Sequence, residues 1–303
     1  MRVSTRYRGR FAPSPTGPLH LGSLVIAVGS WLIARRNNGD WLLRIEDIDP
    51  PREIPGVAAQ QIETLAAFGM RSDEPVLWQS ARDDAYADAL ERLLLRGLAF
   101  PCHCRRSDLV ATDGIHRHCA TNDCAGERAG RQPAIRLRVD DGRIGFKDAI
   151  HGHCEQLAGR DIGDVVLRRA DGLWAYQLAV VVDDAAQGIT EVVRGADLLD
   201  STPRQIVLQR ALDFPTPTYA HLPLVVDTNG HKLGKSTNAS PVDPTAALPA
   251  LRAALLVLGQ DPRCIASSGN AEAALRSAVE HFDMAAIPTH KHVSTTTTAT
   301  SAA

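Results

Sequence analysis

The chain lacks long apolar stretches and an excess of charge. No apolar run in its 303 residues reaches the ~18 residues that a membrane-spanning helix needs. The N-terminus carries arginines but is not followed by the apolar segment of a secretory signal peptide. The formal net charge is −2, so only a local basic patch would attract nucleic acid. These absences favour a cytoplasmic protein that does not enter a membrane.

Lysine is scarce, whereas cysteine is clustered. Two of the four lysines fall in one polar stretch, HKLGKST at residues 231–237. Four of the six cysteines lie between residues 102 and 124, a stretch that is also rich in His, Arg and Gly. In a reducing cytoplasm, clustered cysteines favour a metal site over disulfides. An apolar content of 44% is ample for a core, and the length allows one large domain or two modest ones.

The apolar patterns predict an α/β protein with a parallel sheet. Residues 19–36 have the spacing of a helix and end at NNG, while residues 41–45 are typical of a buried strand. Further helices are predicted over 53–69, 82–97, 202–213 and 244–258, and further strands over 134–139, 144–147, 164–168, 176–182 and 189–194. We expect a discontinuous sheet domain (1–97 and 173–243), an insertion (98–172), a short helical region (244–288) and a disordered tail (289–303).

The segment GRFAPSPTGPLHLG, residues 9–22, leads directly into the first predicted helix. The free N–H groups and the dipole at a helix N-terminus favour phosphate. Gly17 and Gly22 would let a nucleotide approach the backbone, and His20 could donate to a phosphate oxygen. By itself this segment is equally compatible with a proline-rich turn before an ordinary core helix.

Two distant motifs together resemble those of class I aminoacyl-tRNA synthetases. His20-Leu-Gly-Ser23 resembles their HIGH signature, and Lys232-Leu-Gly-Lys-Ser236 resembles their KMSKS loop. The RFAPSPTG and RIEDIDP sequences, which begin at Arg10 and Arg44, are similar to those of the glutamyl branch. The resemblance covers roughly residues 9–245 and implies a Rossmann-like catalytic domain with an inserted zinc-containing α+β subdomain.

The resemblance also implies which residues bind ATP and glutamate. His20, Lys232 and Lys235 would be catalytic, with Mg²⁺ carried by the nucleotide. The residues expected around ATP are Pro13, Gly17, His20, Gly22, Ser23, Lys235 and Ser236. Those expected around glutamate are Arg10, Ala12, Ser14, Glu46, Tyr176 and Arg194. Glu46 would receive the ammonium and Arg194 the side-chain carboxylate, because an arginine fork pairs well with a carboxylate. A surface ion pair with Glu191 or Asp197 is the alternative for Arg194.

The Cys102-x-Cys104 pair is a short metal chelate that needs two more ligands for a tetrahedral zinc site. Candidates are His103, His116, His118, Cys119 and Cys124. In the family that this chain resembles, a tyrosine and a cysteine complete the set. Here His116 stands at the place of the tyrosine and Cys119 follows it by three positions, so we expect Cys102, Cys104, His116 and Cys119 to hold a structural zinc ion.

Fewer than 70 residues follow Ser236, too few for the large anticodon-reading region of a complete glutamyl-tRNA synthetase. The resemblance to the short paralogues of that branch implies ATP-dependent activation of glutamate and its transfer to queuosine in the anticodon loop of tRNA(Asp) by a monomer. Two alternatives remain: a shortened synthetase that charges a tRNA 3′ end, and an inactive zinc-stabilised binding paralogue. Arginines in the insertion that could contact RNA are Arg105, Arg106, Arg128 and Arg131, although a solvated charged face explains them equally well.

Overall fold

The structure is a computed structural model that describes residues 6–117, 132–227, 230–231, 233 and 240–294, without the side chain of Arg106. Its helices are α1 (Leu21–Arg36), α2 (Val57–Ala67), α3 (Asp83–Leu95), α4 (Tyr176–Ala186), α5 (Thr202–Ala211), α6 (Ala247–Val257) and α7 (Ala271–His281). Its strands are β1 (Arg8–Phe11), β2 (Asp40–Ile45), β3 (Leu77–Trp78), β4 (Ala99–Cys102), β5 (Ala134–Leu137), β6 (Arg143–Asp148), β7 (Gly152–Leu157), β8 (Val165–Arg168), β9 (Glu191–Gly195), β10 (Thr218–Leu222), β11 (Leu224–Val226) and β12 (His292–Ser294). In these ranges no helix has both the length and the apolar character needed to cross a bilayer.

The predicted parallel sheet is confirmed. β1, β2 and β3 pair in parallel, and β9 pairs in parallel with β10. The Thr190 N–H donates to the Arg8 carbonyl, and the Arg8 N–H donates to Thr190 Oγ1, so the start of β9 lies beside β1. The carboxyl ends of β1, β2 and β9 therefore meet at one edge, which is where open parallel sheets bind ligands.

The first predicted helix is confirmed as α1, but it is more deeply buried than a single apolar face would suggest. Leu24, Val25 and Val28 are fully buried as expected, and burial continues around the helix from Ala27 to Ala34. The sheet covers one side of α1, and α6 and α7 pack against its other side. Leu255 of α6 and Leu275 of α7 help to bury that second side. The sequence pattern underestimated this burial because the covering helices come from the far end of the chain.

The predicted strand at residues 176–182 is wrong, because this segment belongs to helix α4. Its run of apolar residues is buried, and a short apolar run of this kind fits an interior helix as well as an interior strand. The two residues that follow the run, Asp183 and Asp184, are also buried within the helix. α4 consequently buries two carboxylates, of which Asp184 pairs with Arg10 of β1.

The middle of the chain forms two sheets rather than one. β4, β5 and β8 make a separate antiparallel sheet, of which β5 and β8 match predicted strands and β4 was missed. β6, also predicted, forms an antiparallel hairpin with β7, which was missed, and β6 pairs in parallel with β10. This hairpin therefore extends the sheet of β9 and β10. The domain boundaries at residues 98 and 172 remain a prediction.

The C-terminal region is ordered further than expected. The predicted helical region contains α6 and α7, and β12 then pairs in parallel with β11. The prediction of a disordered tail from residue 289 is thus wrong for 292–294, since pairing with β11 gives these residues backbone partners that the sequence pattern does not reveal. Residues 295–303 lie outside the described part of the chain.

Candidate active site

Two adjoining cavities open at the carboxyl edge of the sheet. The larger has a volume of about 680 Å³, and the six residues predicted to bind glutamate all line it: Arg10, Ala12, Ser14, Glu46, Tyr176 and Arg194. The smaller, of about 260 Å³, is lined by Pro13, Gly17, His20, Gly22 and Ser23, which are the described residues predicted to bind ATP. Phe11, Thr16 and Asp197 are among the residues that line both cavities. The two predicted sets therefore occupy the two halves of one cleft.

His20 begins α1 and caps it with its own side chain. The Ser23 N–H donates to His20 Nδ1 at 3.3 Å, and Ser23 Oγ lies 3.3 Å from Nε2. In a neutral imidazole with Nδ1 as acceptor, the proton is on Nε2, so that nitrogen is the donor. A Cβ at Gly22 would lie 3.0 Å from the imidazole, which explains why a residue without a side chain stands there.

Leu233, which lies between Lys232 and Lys235 in the sequence, is found at the same place. It lines the smaller cavity, its carbonyl is 3.6 Å from the position of a Cβ on Gly22, and its N–H donates to the Val225 carbonyl at 2.8 Å. Beyond the loop, the Val242 N–H donates to the Leu19 carbonyl at 2.9 Å. The backbone is thus held against the start of α1 before and after residues 234–239. Lys232, Lys235 and Ser236 themselves lie outside the described residues.

The three candidate arginines have different surroundings. Arg10 Nε and Nη2 donate to the two carboxylate oxygens of Asp184 at 2.9 and 3.2 Å. Arg44 is fully buried and donates to the same carboxylate. Arg10 lines the larger cavity, whereas Arg44 is not among its lining residues. Both guanidinium groups therefore share the single carboxylate of Asp184 on α4, and only Arg10 of the two lines the cavity.

Arg194 is buried, with 4% of its surface exposed, and it is held by neutral acceptors. Nε donates to His221 Nε2 at 3.0 Å and Nη1 to Gln205 Oε1 at 2.7 Å. Nη2 donates to Thr202 Oγ1 at 2.8 Å and to the Leu198 carbonyl at 3.2 Å. Among the described residues no carboxylate forms an ion pair with Arg194, so the surface ion pair considered from sequence is wrong. A buried cation without an anionic partner beside a cavity is well placed to bind a ligand carboxylate.

Glu46 and Tyr176 contribute a carboxylate and a phenol to the same cavity. Burial raises the pKa of Glu46 from 4.5 to about 7, although Arg44 and Arg10 act in the opposite direction. Burial, together with the charge of Glu46, raises the pKa of Tyr176, so its hydroxyl stays protonated and can donate. A substrate ammonium beside Glu46 would supply the positive charge that favours the ionised carboxylate.

A second cluster of titratable groups lies at the end of β4. The ligand atoms of Cys102, Cys104 and His116 are all within 4.8 Å of one another, and Cys102 Sγ is 3.2 Å from His116 Nε2. His116 Nδ1 is 2.7 Å from Asp164 Oδ2, the carboxylate–histidine arrangement that orients metal ligands. Gly163, with φ of +65°, lets the chain pass close to the His116 carbonyl, because a Cβ there would be 2.4 Å from that oxygen. Cys119, His118 and Cys124 lie outside the described residues.

Several functional neighbours were missed from sequence. Asp184 holds Arg10 and Arg44, His221 contacts Arg194, and Asp164 contacts His116. Of these three residues, only Asp184 has a visible signal in the sequence, because it belongs to the DD pair that interrupts an apolar run. Of the arginines considered as RNA contacts, Arg105 is exposed, the Arg106 side chain is not described, and Arg128 and Arg131 lie outside the described ranges.

Comparison with known proteins agrees with this arrangement. Residues 6–250 match the family model of the catalytic domain of class I tRNA synthetases (E and Q). The glutamyl-Q tRNA(Asp) synthetase of Xanthomonas campestris pv. campestris is 56% identical over 286 residues, which are 94% of each chain. That of Burkholderia cenocepacia is 55% identical over 262 residues, covering 84% of this chain and 88% of the relative. A glutamate tRNA ligase from Elizabethkingia meningosepticum, solved in complex with its amino acid, superposes with a TM-score of 0.78 at 26% identity, over 97% of this chain and 68% of that one.

Proposed function

Because the chain belongs to the class I tRNA synthetases for glutamate and glutamine, we propose that it joins L-glutamate to queuosine in the anticodon loop of tRNA(Asp) at the expense of ATP. It is a ligase of the aminoacyl-tRNA synthetase type. The choice of acceptor rests on the relatives that are more than half identical over most of the chain. Such an enzyme works where mature tRNA is found, in the cytoplasm, and we expect it to act as a monomer.

The observation that carries the proposal is the pair of opposite charges in the larger cavity. Arg194 is a buried cation without a carboxylate partner among the described residues, and Glu46 lines the same cavity as a carboxylate whose ionisation a nearby cation would favour. An amino acid with an acidic side chain complements both: its side-chain carboxylate accepts from Arg194, and its ammonium donates to Glu46. Tyr176 adds a neutral hydroxyl donor.

The chemistry needs positioning rather than a protein nucleophile. An oxygen of the α-carboxylate of glutamate attacks the α-phosphorus of ATP, and the bond from that phosphorus to the bridging oxygen of pyrophosphate breaks. A hydroxyl of queuosine then attacks the acyl carbon of the adenylate, loses its proton and displaces AMP. In the first step the His20 Nε2–H donates to a phosphate oxygen, and Lys232 and Lys235 neutralise the charge that moves onto pyrophosphate. Mg²⁺ enters with ATP, because this ion usually takes substrate phosphates and water as ligands.

A structural zinc ion fits the second cluster, and we assign Cys102, Cys104, His116 and Cys119 as its ligands. The ligand atoms around a tetrahedral zinc ion lie about 3 to 4 Å apart. The 3.2 Å separation of Cys102 Sγ and His116 Nε2 agrees with this spacing, and Cys104 contributes a second thiol. Asp164 fixes Nε2 of His116 as the nitrogen available to the metal. The ion would hold the segment after β4 in place and take no part in the reaction.

Two assays test the proposal. Glutamate-dependent exchange of pyrophosphate into ATP measures activation, and we expect it with glutamate but not with glutamine. Transfer of labelled glutamate is then measured to tRNA(Asp) with queuosine, to tRNA(Asp) without it, and to tRNA(Glu). We expect label only on the first. Charging of tRNA(Glu) would overturn the proposed acceptor in favour of a shortened synthetase. No exchange, with or without tRNA, would identify a paralogue that has lost catalysis.

A further inference from the structure

A buried chain of three side chains links three strands behind the larger cavity. Asp148 at the end of β6, His221 on β10 and Arg194 on β9 are 1%, 0% and 4% exposed. Asp148 Oδ2 lies 2.6 Å from His221 Nδ1, and His221 Nε2 lies 3.0 Å from Arg194 Nε. The imidazole of His221 therefore connects the Asp148 carboxylate, which does not line the cavity, to the Arg194 guanidinium, which does.

The geometry selects one tautomer of His221. Arg194 Nε carries a proton at every accessible pH, so the facing Nε2 must be the acceptor. The proton of a neutral imidazole is then on Nδ1, where Asp148 accepts it. Burial and the charge of Arg194 lower the pKa of His221, although Asp148 acts in the opposite direction. The ring is held in place by Tyr219, which stacks on it at an interplanar angle of 11°, and by the edge contact of Phe146.

The same contacts leave Arg194 little freedom. A guanidinium has five N–H donors, and Arg194 uses one on His221, one on Gln205, and two on Thr202 and the Leu198 carbonyl. The remaining donor is on Nη1. Four fixed donors set both the plane of the guanidinium and the direction of the fifth.

We propose that Asp148 and His221 are positioning residues that hold Arg194 in the orientation in which it binds the side-chain carboxylate of glutamate. The inference rests on the proposed function, since it takes Arg194 as the residue that binds that carboxylate. Neither Asp148 nor His221 lines the larger cavity, so neither touches the substrate. They act through the tautomer: a proton on Nε2 instead of Nδ1 would point at the Arg194 Nε–H and displace the guanidinium.

The substitution Asp148→Asn changes the tautomer with almost no change of shape. Asp148 Oδ1 accepts the N–H groups of Ile150 and His151, each at 2.9 Å. An asparagine can make these bonds only with its amide oxygen, so its NH₂ group must face His221 Nδ1. That nitrogen then becomes the acceptor, and the proton moves to Nε2. The same logic accounts for the wrong histidine tautomer that results when asparagine replaces the aspartate of a serine-protease triad.

The experiment measures KM values in pyrophosphate exchange and locates the His221 proton by ¹⁵N NMR. In the wild type we expect the proton on Nδ1. In Asp148→Asn we expect it on Nε2, with the KM for glutamate raised at least tenfold and the KM for ATP within twofold of the wild type. The matched control is Asp73→Asn, at a carboxylate that also accepts a backbone N–H, from Trp41, but does not line the cleft. Both KM values of the control should stay within twofold of the wild type.

The outcomes separate this inference from the proposed function. An unchanged KM for glutamate in Asp148→Asn would overturn the positioning role, whatever the NMR shows. A proton on Nε2 in the wild type would overturn it even if the variant does not fold. Arg194→Lys tests the premise on its own: if this variant keeps the wild-type KM for glutamate, Arg194 is not the carboxylate ligand. A raised KM in Arg194→Lys with no effect of Asp148→Asn would leave the proposed function intact and refute the positioning role alone.

Discussion

Glu46 allows a prediction in which stability and activity change in opposite directions. Burial raises its pKa from 4.5 to about 7 in the folded protein. At 1.36 kcal/mol for each tenfold change in the dissociation constant, this rise corresponds to at most about 3 kcal/mol against the ionised form. Because Glu46 is only half-buried, solvent reduces the effect to about 1–2 kcal/mol. The substitution Glu46→Gln removes this penalty and should stabilise the unliganded enzyme.

The size of this stabilisation depends on pH. The folded pKa lies above the unfolded one, so the favourable contribution of the protonated group is present below pH 4.5 and is lost as the pH rises through about 7. At pH 8.5 we expect the Tm of Glu46→Gln to exceed that of the wild type by about 2 to 3 °C, because the unfolding entropy of a 303-residue chain is large. At pH 5 the difference should fall to roughly a quarter of that value, because the folded carboxyl group is then protonated.

Activity should change in the other direction. Loss of a hydrogen bond to a charged group costs about 1.5–3 kcal/mol, so the KM for glutamate should rise about 10- to 100-fold in pyrophosphate exchange. In the wild type this KM should fall as the pH rises through about 7, and in Glu46→Gln the dependence should disappear. Glu63→Gln, an exposed site on α2, is the matched control and should change neither Tm nor KM. A Tm difference that does not vary between pH 5 and 8.5, or an unchanged KM, would refute the reasoning.

Three further substitutions test other parts of the site. Lys235→Ala should lower the rate of pyrophosphate exchange at least tenfold without changing the Tm, because a cation near the leaving group is lost; a wild-type rate would remove this lysine from the mechanism. Gly22→Ala should displace the His20 imidazole, since the new Cβ would lie 3.0 Å from it, and raise the KM for ATP; an unchanged KM would show that the imidazole position does not matter. Asp164→Asn should weaken zinc retention by about 10- to 100-fold in a chelator competition, because His116 loses its orienting carboxylate; equal retention would mean that Asp164 does not support a metal ligand.

Local motifs identified residues that the structure brings together around the smaller cavity. His20, Gly17 and Gly22 were identified because a glycine-rich turn before a helix has a local physical purpose, and the structure places them around one cavity. The cluster of Cys102, Cys104 and His116 was found for a similar reason: short spacings restrict where thiols and imidazoles can lie. In both cases the residues that act together are close in sequence or were linked by a known motif.

Residues distant in sequence could not be ranked in this way. The sequence pattern alone does not separate Arg10, Arg44 and Arg194, because each adjoins a predicted strand; only the resemblance to the glutamyl branch singled out Arg10 and Arg194. The structure separates them through Asp184, which pairs with the first two and leaves Arg194 without a carboxylate partner in the described part of the chain. The segment that carries Asp184 was itself mistaken for a strand. A short apolar run does not show whether its side chains repeat every two residues, as in a strand, or about every 3.6 residues, as in a helix. The sequence pattern therefore could not assign this segment to one or the other.

The sequence by itself determined which chemical groups are available: a glycine-containing turn before a helix, a clustered set of thiols, a parallel sheet and the resemblance to a synthetase family. These depend on local spacing and on short-range backbone preferences. The tertiary structure decided which charges are neutralised, which cation faces the ligand, and which tautomer His221 adopts. Those properties depend on burial and on partners tens to more than one hundred residues away, such as Asp148 beside His221, which only the packing of strands and helices brings into contact.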